Sequence, residues 1–255
     1  MRDAALDLLL GSSCVGCARP GRMLCAGCLA ALPATASVAW PSPVPAGLVT
    51  PWAAGEYADT LRALVVGHKD RGQWSFARVL SGLLAASVRA AVGPPDDVPV
   101  VLVPVPSRPG SSRRRGYDAT GTLVRGAARL LRRESYDALP GALLVSRGGV
   151  RDQKDLTASE RAANLAGSMC CPAPGLRRLA GRRTRARVVL CDDVLTTGAT
   201  AREAQRALGA VGLDPVAVAV VAATRRRLPA GGGAPASAHP SESAPPSLGP
   251  SQGRG

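Results

Sequence analysis

A run of thirteen residues, Val188 to Thr200, constrains the fold of this chain more than any other feature. It begins with apolar and β-branched residues at 188–190, which are typical of a buried strand, and it leads into residues 199–208, which are typical of a helix. Two acidic residues and a short loop of hydroxyl-bearing residues and glycine lie between them. A strand that passes through a short loop into a helix predicts one unit of a parallel α/β sheet.

The polar residues of this run suit a sugar phosphate. Asp192 and Asp193 follow the predicted strand, where two carboxylates can accept hydrogen bonds from the neighbouring hydroxyls of a ribose. The loop then surrounds a helix N-terminus, where backbone N–H groups and the helix dipole favour an anion. Gly198 lets the backbone approach a phosphate closely. A capped turn without any ligand would explain one or two of these residues, but not all of them in order.

The rest of the chain predicts the same fold class. Apolar strand-like segments alternate with helix-like segments, and this order predicts an α/β fold in which helices cover both faces of a mostly parallel sheet. We predict strands at 98–105, 143–146 and 216–223, and helices at 61–72, 74–92, 117–133 and 157–164.

Four cysteines near the N-terminus form two Cys-x-x-Cys pairs: Cys14 with Cys17, and Cys25 with Cys28. Two such turns supply four thiolates, which suit a structural zinc ion with no open coordination position. So small a segment needs the metal for its folding free energy. We expect a positive φ at Gly16 and Gly27. A redox dithiol is the alternative, but such motifs normally lie between a strand and a helix.

These patterns divide the chain into a zinc knuckle at 1–32, a linker at 33–51 rich in proline, alanine and serine, an α/β domain at 52–228 and a disordered tail at 229–255. Residues 4–10 are predicted to form a short helix. No apolar run approaches a membrane span. We therefore expect a cytoplasmic protein, in a reducing compartment where paired cysteines bind metal more often than they form disulfides.

The formal net charge is +14, and all but two of the 32 basic side chains are arginine. Two interpretations stay open: a coding bias that places arginine on solvated faces, or an anionic partner such as pyrophosphate or nucleic acid. Few aromatic residues are available for base stacking, and Tyr117 is the nearest candidate. We expect His68 at the surface, and Cys170, Cys171 and Cys191 as small buried apolar residues.

The run at 188–200 resembles the phosphoribosyl pyrophosphate (PRPP) motif of type I phosphoribosyltransferases. The resemblance implies that Asp192 and Asp193 bind the ribose hydroxyls. It implies that the 5-phosphate is bound by Thr196, Thr197, Gly198, Ala199 and Thr200. It also implies Mg²⁺, which would arrive with the PRPP pyrophosphate.

The order of elements over about residues 1–225 resembles the ComF (competence protein F) family. The strand-end loop at 103–106 would then face pyrophosphate through its backbone amides. The resemblance implies that the residues on the pyrophosphate side are Val105, Pro106, Arg113, Arg114, Arg115 and Lys69. It implies that a loop closing over PRPP contains Arg151, Gln153, Arg161 and Asn164. Asp118 and Ala119 stand where the family usually has two amide side chains.

The resemblance implies a PRPP-binding phosphoribosyltransferase-like protein linked to DNA uptake and competence, or to nucleotide metabolism. It leaves open whether the chain is an enzyme that transfers the pentosyl group of PRPP. The alternative is a module that senses PRPP or a nucleotide without catalysis and binds single-stranded DNA or a DNA-uptake helicase. The sequence predicts neither the acceptor base nor the oligomeric state.

Overall fold

The computed structural model of the chain describes residues 12–107, 117–147, 167–181 and 185–224. The strands are β1 Ser37–Val38, β2 Pro51–Glu56, β3 Val100–Pro104, β4 Ala138–Pro140, β5 Val145–Ser146, β6 Met169–Cys170, β7 Arg187–Leu195 and β8 Pro215–Ala223. The helices are α1 Ala26–Ala30, α2 Asp59–Asp70, α3 Ala77–Val92, α4 Ala119–Arg133, α5 Ala173–Ala180 and α6 Ala199–Gly209, with a 3₁₀ turn at Trp74–Phe76. The helices predicted at 4–10 and 157–164, and the predicted tail, lie outside the described residues.

The main sheet has six strands in the order β1-β2-β8-β7-β3-β4. β1 pairs antiparallel with β2, and every other neighbouring pair is parallel. This confirms the predicted fold class. From β3 the chain continues through α4 to β4 on one side, whereas β7 lies on the other side of β3 and leads through α6 to β8. The chain thus reverses its direction across the sheet between β3 and β7, which makes this crevice the place where such sheets bind ligands.

Two apolar layers sandwich the sheet because successive side chains of each strand point to opposite faces. Leu102 of β3 packs in the same cluster as α2, α3 and α4, through residues such as Leu84. Val101, its neighbour in the strand, packs on the other face with Ala204 and Leu208 of α6. Strands that are buried on both faces therefore need continuous apolar runs, as β3 and β8 have.

The N-terminal knuckle packs against this domain. Its residues Val15 and Met23 contact the core cluster of α2 and α3. A side-chain carbon at Gly16 would lie 2.7 Å from Thr60 Oγ1, so only glycine lets the knuckle approach α2 this closely. The expectation of a positive φ at Gly16 and Gly27 is wrong: in the knuckle, Ala18 and Gly21 have this conformation. Close packing, not backbone conformation, explains Gly16.

Several elements differ from the predictions. β2 was not predicted, because its sequence Pro-Trp-Ala-Ala-Gly-Glu has no β-branched residue. The strand predicted at 143–146 is shorter and lies outside the main sheet, as β5 pairs antiparallel with β6. The predicted linker includes β1, and its Leu48 is buried in the second core cluster.

The stretch Trp74–Val92 is, among the described residues, long and apolar enough to cross a bilayer by length and composition. A helix was expected at 74–92, but not one as long and apolar as a membrane span. Its residues Leu80, Leu84 and Val88 have no exposed surface and pack in the core. This packing is that of the core helix of a globular α/β domain.

Candidate functional site

The residues predicted to hold a ligand meet at the carboxyl ends of β3 and β7. The two strands are in parallel register, with Pro104 opposite Cys191, so Val105 lies beside the acidic pair. Parallel strands place all their carboxyl ends at one edge, and this pair flanks the crevice where the chain changes direction. The fold therefore brings together two segments that are more than 80 residues apart in the sequence.

The acidic pair is part of β7 itself, because the strand continues to Leu195 instead of ending before Asp192. Each carboxylate accepts the backbone N–H of the next residue: Asp193 N donates to Asp192 Oδ1 at 2.8 Å, and Val194 N donates to Asp193 Oδ1 at 2.9 Å. These bonds leave one oxygen of each carboxylate for other partners. They also fix the two side chains at the sheet edge.

Lys69 forms an ion pair with one member of this pair, Asp193. Its Nζ lies 2.5 Å from Asp193 Oδ2, and the Asp193 side chain is only 6% exposed while that of Lys69 is 34% exposed. The lysine projects from the last turn of α2, where a cation is also favourable towards the helix dipole. Lys69 was expected on the pyrophosphate side, but no local pattern predicts its ion pair with a residue 124 positions further along the chain.

Asp193 is buried, and Asp192 lies half-buried beside it. Burial raises the pKa of Asp192 well above the ordinary aspartate range, and the charge of Asp193 raises it further, while Lys69 opposes the shift. A buried carboxyl with a raised pKa binds a proton readily. Its ionised form is stabilised by a ligand that donates hydrogen bonds to it, such as a pair of vicinal hydroxyls.

The loop after β7 turns sharply at Gly198, which has φ +73° and precedes the first residue of α6. This conformation favours glycine. A side-chain carbon there would lie 3.1–3.2 Å from Pro41, Pro45 and Leu48. The backbone at Gly198 was expected to approach a phosphate closely, but it packs closely against Pro41, Pro45 and Leu48 of the same chain. The N–H of Ala199, the first residue of α6, donates to Thr197 Oγ1 at 3.5 Å. The next N–H groups of the first turn have no partner within the helix and can bind an anion.

The neighbour of Gly198 is the segment 41–49, within the predicted linker. Three hydrogen bonds attach it to α6: Arg202 Nε donates to Ala46 O at 2.8 Å, Gln205 Nε2 donates to Gly47 O at 2.9 Å, and Val49 N donates to Gln205 Oε1 at 3.1 Å. The segment therefore supports the first turns of the helix that carries the predicted phosphate loop. The sequence offered no signal for this, because the partners are about 156 residues apart.

The strand-end loop at 103–106 offers fewer donors than expected. The Val105 N–H already donates to Cys191 O at 2.8 Å, and Val105 is buried. Pro104 and Pro106 have no N–H. The expectation that backbone amides of this loop face pyrophosphate is therefore wrong for Val105, because its amide extends the pairing of β3 with β7.

The rings of His68 and Tyr117 pack edge to face next to Lys69, at the end of α2. His68 is buried, not at the surface as expected: its Nε2 lies 3.4 Å from Ala119 O, and burial lowers its pKa. The Tyr117 hydroxyl donates to the backbone oxygen of His68. Trp74, which is 69% exposed, packs on Tyr117 with ring centroids 5.8 Å apart. These contacts hold the end of α2, and hence Lys69, in place.

The four knuckle cysteines converge as predicted. Their Sγ atoms all lie within 4.8 Å of one another, and Cys17 and Cys25 are 3.7 Å apart. Tetrahedral zinc with Zn–S bonds of about 2.3 Å places its sulfurs about 3.8 Å apart, so the cluster can hold a metal such as zinc.

Backbone N–H groups support the thiolate form of two of these sulfurs. Cys25 N donates to Cys14 Sγ, and Cys28 N donates to Cys25 Sγ, each at 3.4 Å. Burial raises the pKa of Cys14, but the N–H groups of Cys25, Cys17 and Gly16 outweigh it and lower the pKa to about 6. These N–H groups therefore prepare the cluster for a cation.

No protein-family model matches this chain. Competence protein F of Haemophilus influenzae is 27% identical to it over 165 residues, which cover 64% of this chain and 68% of that protein. This similarity supports a relationship to the ComF family. This supports the resemblance that the motifs indicated, and it extends over most of both chains.

The departure from the family pattern at residue 118 has a structural role. Asp118 caps α4, since its Oδ1 accepts a hydrogen bond from Gly121 N at 3.0 Å. Aspartate is a good N-cap residue, so the helix begins well without the amide side chain. Other expected site residues lie outside the described part of the chain: Arg113, Arg114, Arg115, Arg151, Gln153, Arg161 and Asn164.

Proposed function

We propose that this chain is a PRPP-binding protein of the ComF type, and that the site is the carboxyl end of β7. The observation that carries the proposal is the acidic pair, of which Asp193 is buried with Lys69 2.5 Å away, at the point where the chain changes direction across the sheet. An acidic pair suits the ribose hydroxyls, and the adjoining helix N-terminus suits the 5-phosphate. The relationship to competence protein F supports a cellular role in DNA uptake.

In this proposal each group of residues binds a different part of PRPP. Asp192 and Asp193 accept the hydrogens of the 2- and 3-hydroxyls, and residues 196–200 hold the 5-phosphate. Lys69 then stands between a carboxylate and the pyrophosphate, where its charge offsets both. One oxygen of the acidic pair is already committed to Lys69, so the donor set fits a Mg²⁺ ion bound mainly by water and by the phosphates of PRPP.

If transfer occurs, the bond between the anomeric carbon and pyrophosphate breaks, and a bond to a nitrogen nucleophile forms. Positive charge develops on the ribose ring and negative charge on the leaving group. The carboxylates lie on the ribose side and Lys69 on the pyrophosphate side in this proposal, which is the arrangement that stabilises both charges. The leaving-group charge is also offset by Mg²⁺ when it is bound.

A sensing module that binds single-stranded DNA is a second candidate. Trp74 favours it, because an exposed aromatic side chain beside cations suits unpaired bases, and Trp74 is exposed where it packs on the half-buried Tyr117. Lys69 and Arg71 come shortly before Trp74 in the chain, at the end of α2 and just after it. In this case PRPP or a nucleotide would regulate binding without being consumed.

Pyrophosphate release separates these possibilities. The full chain with zinc is incubated with PRPP and Mg²⁺, alone and with each of a panel of purine and pyrimidine bases. Release that depends on one base supports a transferase. PRPP binding without release, together with salt-sensitive binding of single-stranded DNA, supports the module. A chain that binds no PRPP refutes the transferase, and a chain that binds neither PRPP nor a nucleotide refutes both forms of the proposal.

A further inference from the structure

The helix that follows the phosphate loop, α6, packs on the sheet mainly through small side chains. Its buried apolar residues are four alanines and one leucine: Ala199, Ala201, Ala204, Ala207 and Leu208. Alanine side chains make few contacts and do not interlock with their neighbours, so they do little to fix the position of a helix along its axis. Polar contacts at the sides of α6 must therefore determine where its N-terminus lies.

Such contacts attach the first two turns of α6 to two separate parts of the chain. One is segment 41–49, as described above. The other is β6: Met169 N donates to Glu203 Oε1 at 3.0 Å, and Arg206 Nη2 donates to Met169 O at 3.1 Å. The residues that hold the two parts are adjacent in the sequence, so they point about 100° apart around the helix. The helix is thus held from two directions.

The carboxylate of Glu203 is the centre of the contact with β6. Its side chain is only 4% exposed, and Arg206 binds both of its oxygens, Nε to Oε2 at 2.7 Å and Nη2 to Oε1 at 2.9 Å. Burial alone would raise the pKa of Glu203, but Arg206 and the N–H groups of Met169 and Gly167 outweigh it and lower the pKa. Glu203 is therefore an ionised acceptor, which makes a stronger hydrogen bond with Met169 than a neutral one does.

β6 is a fixed support for this contact. Met169 is buried in the second core cluster together with Leu143 and Leu144, which lead into β5. The pairing of β5 with β6 is extended by Arg147 N, which donates to Ser168 O at 2.7 Å. The core therefore holds β6 independently of α6. Because Glu203 lies four residues after the start of α6, the contact is only about 6 Å along the axis from the helix end.

We infer that Glu203, oriented by Arg206, is a positioning residue for the phosphate loop. By holding β6 it fixes the place where the first turn of α6 presents its N–H groups to the 5-phosphate. These groups bind an anion only within hydrogen-bond distance, so a small shift of the helix weakens binding. The inference deepens the proposed function and rests on it for the identity of the ligand.

The test is calorimetry of the full zinc-loaded chain with ribose 5-phosphate, and with PRPP and Mg²⁺. Glu203→Leu removes the acceptor and leaves the buried Met169 N–H without a partner. The conservative variant Glu203→Gln keeps an acceptor oxygen, and Arg206, whose side chain is 43% exposed, stays hydrated. Since small misplacements at a site cost up to about 100-fold, Glu203→Leu should weaken the binding of both ligands by about tenfold. Glu203→Gln should retain most of the affinity.

The matched control is Tyr136→Phe, which removes another hydrogen bond from a buried side chain to the backbone. The Tyr136 hydroxyl donates to Gly93 O at 2.7 Å, and Tyr136 comes just before the amino end of β4, at the opposite end of the strands from the site. Urea unfolding measures the stability of each variant. A general loss of stability leaves the affinity of the folded molecules unchanged, so Tyr136→Phe should bind both ligands as the wild type does.

The inference is overturned if Glu203→Leu binds ribose 5-phosphate as tightly as the wild type, or if Tyr136→Phe loses as much affinity as Glu203→Leu. A wild type that binds neither ligand shows instead that the proposed function fails. Amide hydrogen exchange without ligand then tests the positioning role by itself. Exchange at 167–169 and 199–202 should be faster in Glu203→Leu than in the wild type and Tyr136→Phe, and equal exchange in all three would overturn it.

Discussion

Replacing Lys69 with methionine should destabilise the protein, because it leaves the buried Asp193 carboxylate without its cation. Methionine keeps the length and the apolar stem of the side chain, so the change removes little except the charge. The Asp193 side chain is 6% exposed and lies beside Asp192, which adds a second carboxylate to the uncompensated charge. The perturbation is therefore electrostatic and local.

The magnitude follows from the geometry. Two unit charges about 4 Å apart, at an effective dielectric constant of about 20, attract by about 4 kcal/mol. Lys69 is 34% exposed, so solvent screens the pair and the interaction must be discounted. Breaking a buried pair costs about 3–5 kcal/mol and an exposed pair less than about 1 kcal/mol. We expect a loss of about 2 kcal/mol, or about 4–8 °C in Tm for a domain of this size.

The assay is urea unfolding of the zinc-loaded protein at neutral pH. The matched control is Arg89→Met, which breaks the pair of Arg89 with Glu134, whose side chains are 37% and 41% exposed. The control should lower the free energy of unfolding by less than about 1 kcal/mol. The double variant Lys69→Met with Asp193→Asn should recover part of the lost stability, since both charges are gone. Equal losses for Lys69→Met and Arg89→Met, with no recovery in the double variant, would refute the reasoning.

Three further predictions concern the zinc knuckle, the phosphate loop and the acidic pair. Metal analysis should find one zinc per chain and none after Cys14→Ser with Cys25→Ser; a well-folded wild type without zinc would contradict this. Gly198→Ala should lower the free energy of unfolding by about 1 kcal/mol more than Gly212→Ala does, as measured by thermal unfolding. Both glycines have positive φ, but only Gly198 is crowded, by Pro41, Pro45 and Leu48. Equal losses would count against that packing. The pKa of Asp192 is raised, so its carboxyl ionises only as the pH rises past that pKa, and PRPP affinity should increase over the same pH range. Calorimetry of Asp192→Asn should lack this part of the pH dependence.

The run at 188–200 predicts its local structure well because a buried strand, a polar loop and a helix each have a local signature. Even there, one feature depends on the fold: β7 continues through Asp192 and Asp193, since β8 pairs with the strand as far as Leu195. The four cysteines are predictable for a similar reason, because their spacing alone creates the two metal-binding turns.

Other parts of the site depend on contacts between distant residues. Lys69 and His68 are adjacent in a helix, yet one binds the acidic pair and the other is buried, and no local pattern distinguishes them. Segment 41–49 has the composition of a linker, but Gln205 and Arg202 attach it to α6. Proline, alanine and glycine indicate a lack of regular structure, which does not prevent a segment from packing.

Calorimetry with PRPP and Mg²⁺ tests the central claim most directly. The wild type should bind one PRPP per chain. Asp192→Asn with Asp193→Asn should weaken binding about 100-fold or more, because hydrogen bonds to charged groups contribute about 1.5–3 kcal/mol each. The control is Asp96→Asn with Asp97→Asn, an exposed acidic pair whose partners Arg187 and Arg185 lie at the amino end of β7 or just before it, and it should leave the affinity unchanged. A wild type that binds no PRPP, or equal affinity in the wild type and the Asp192 and Asp193 variant, would contradict the account.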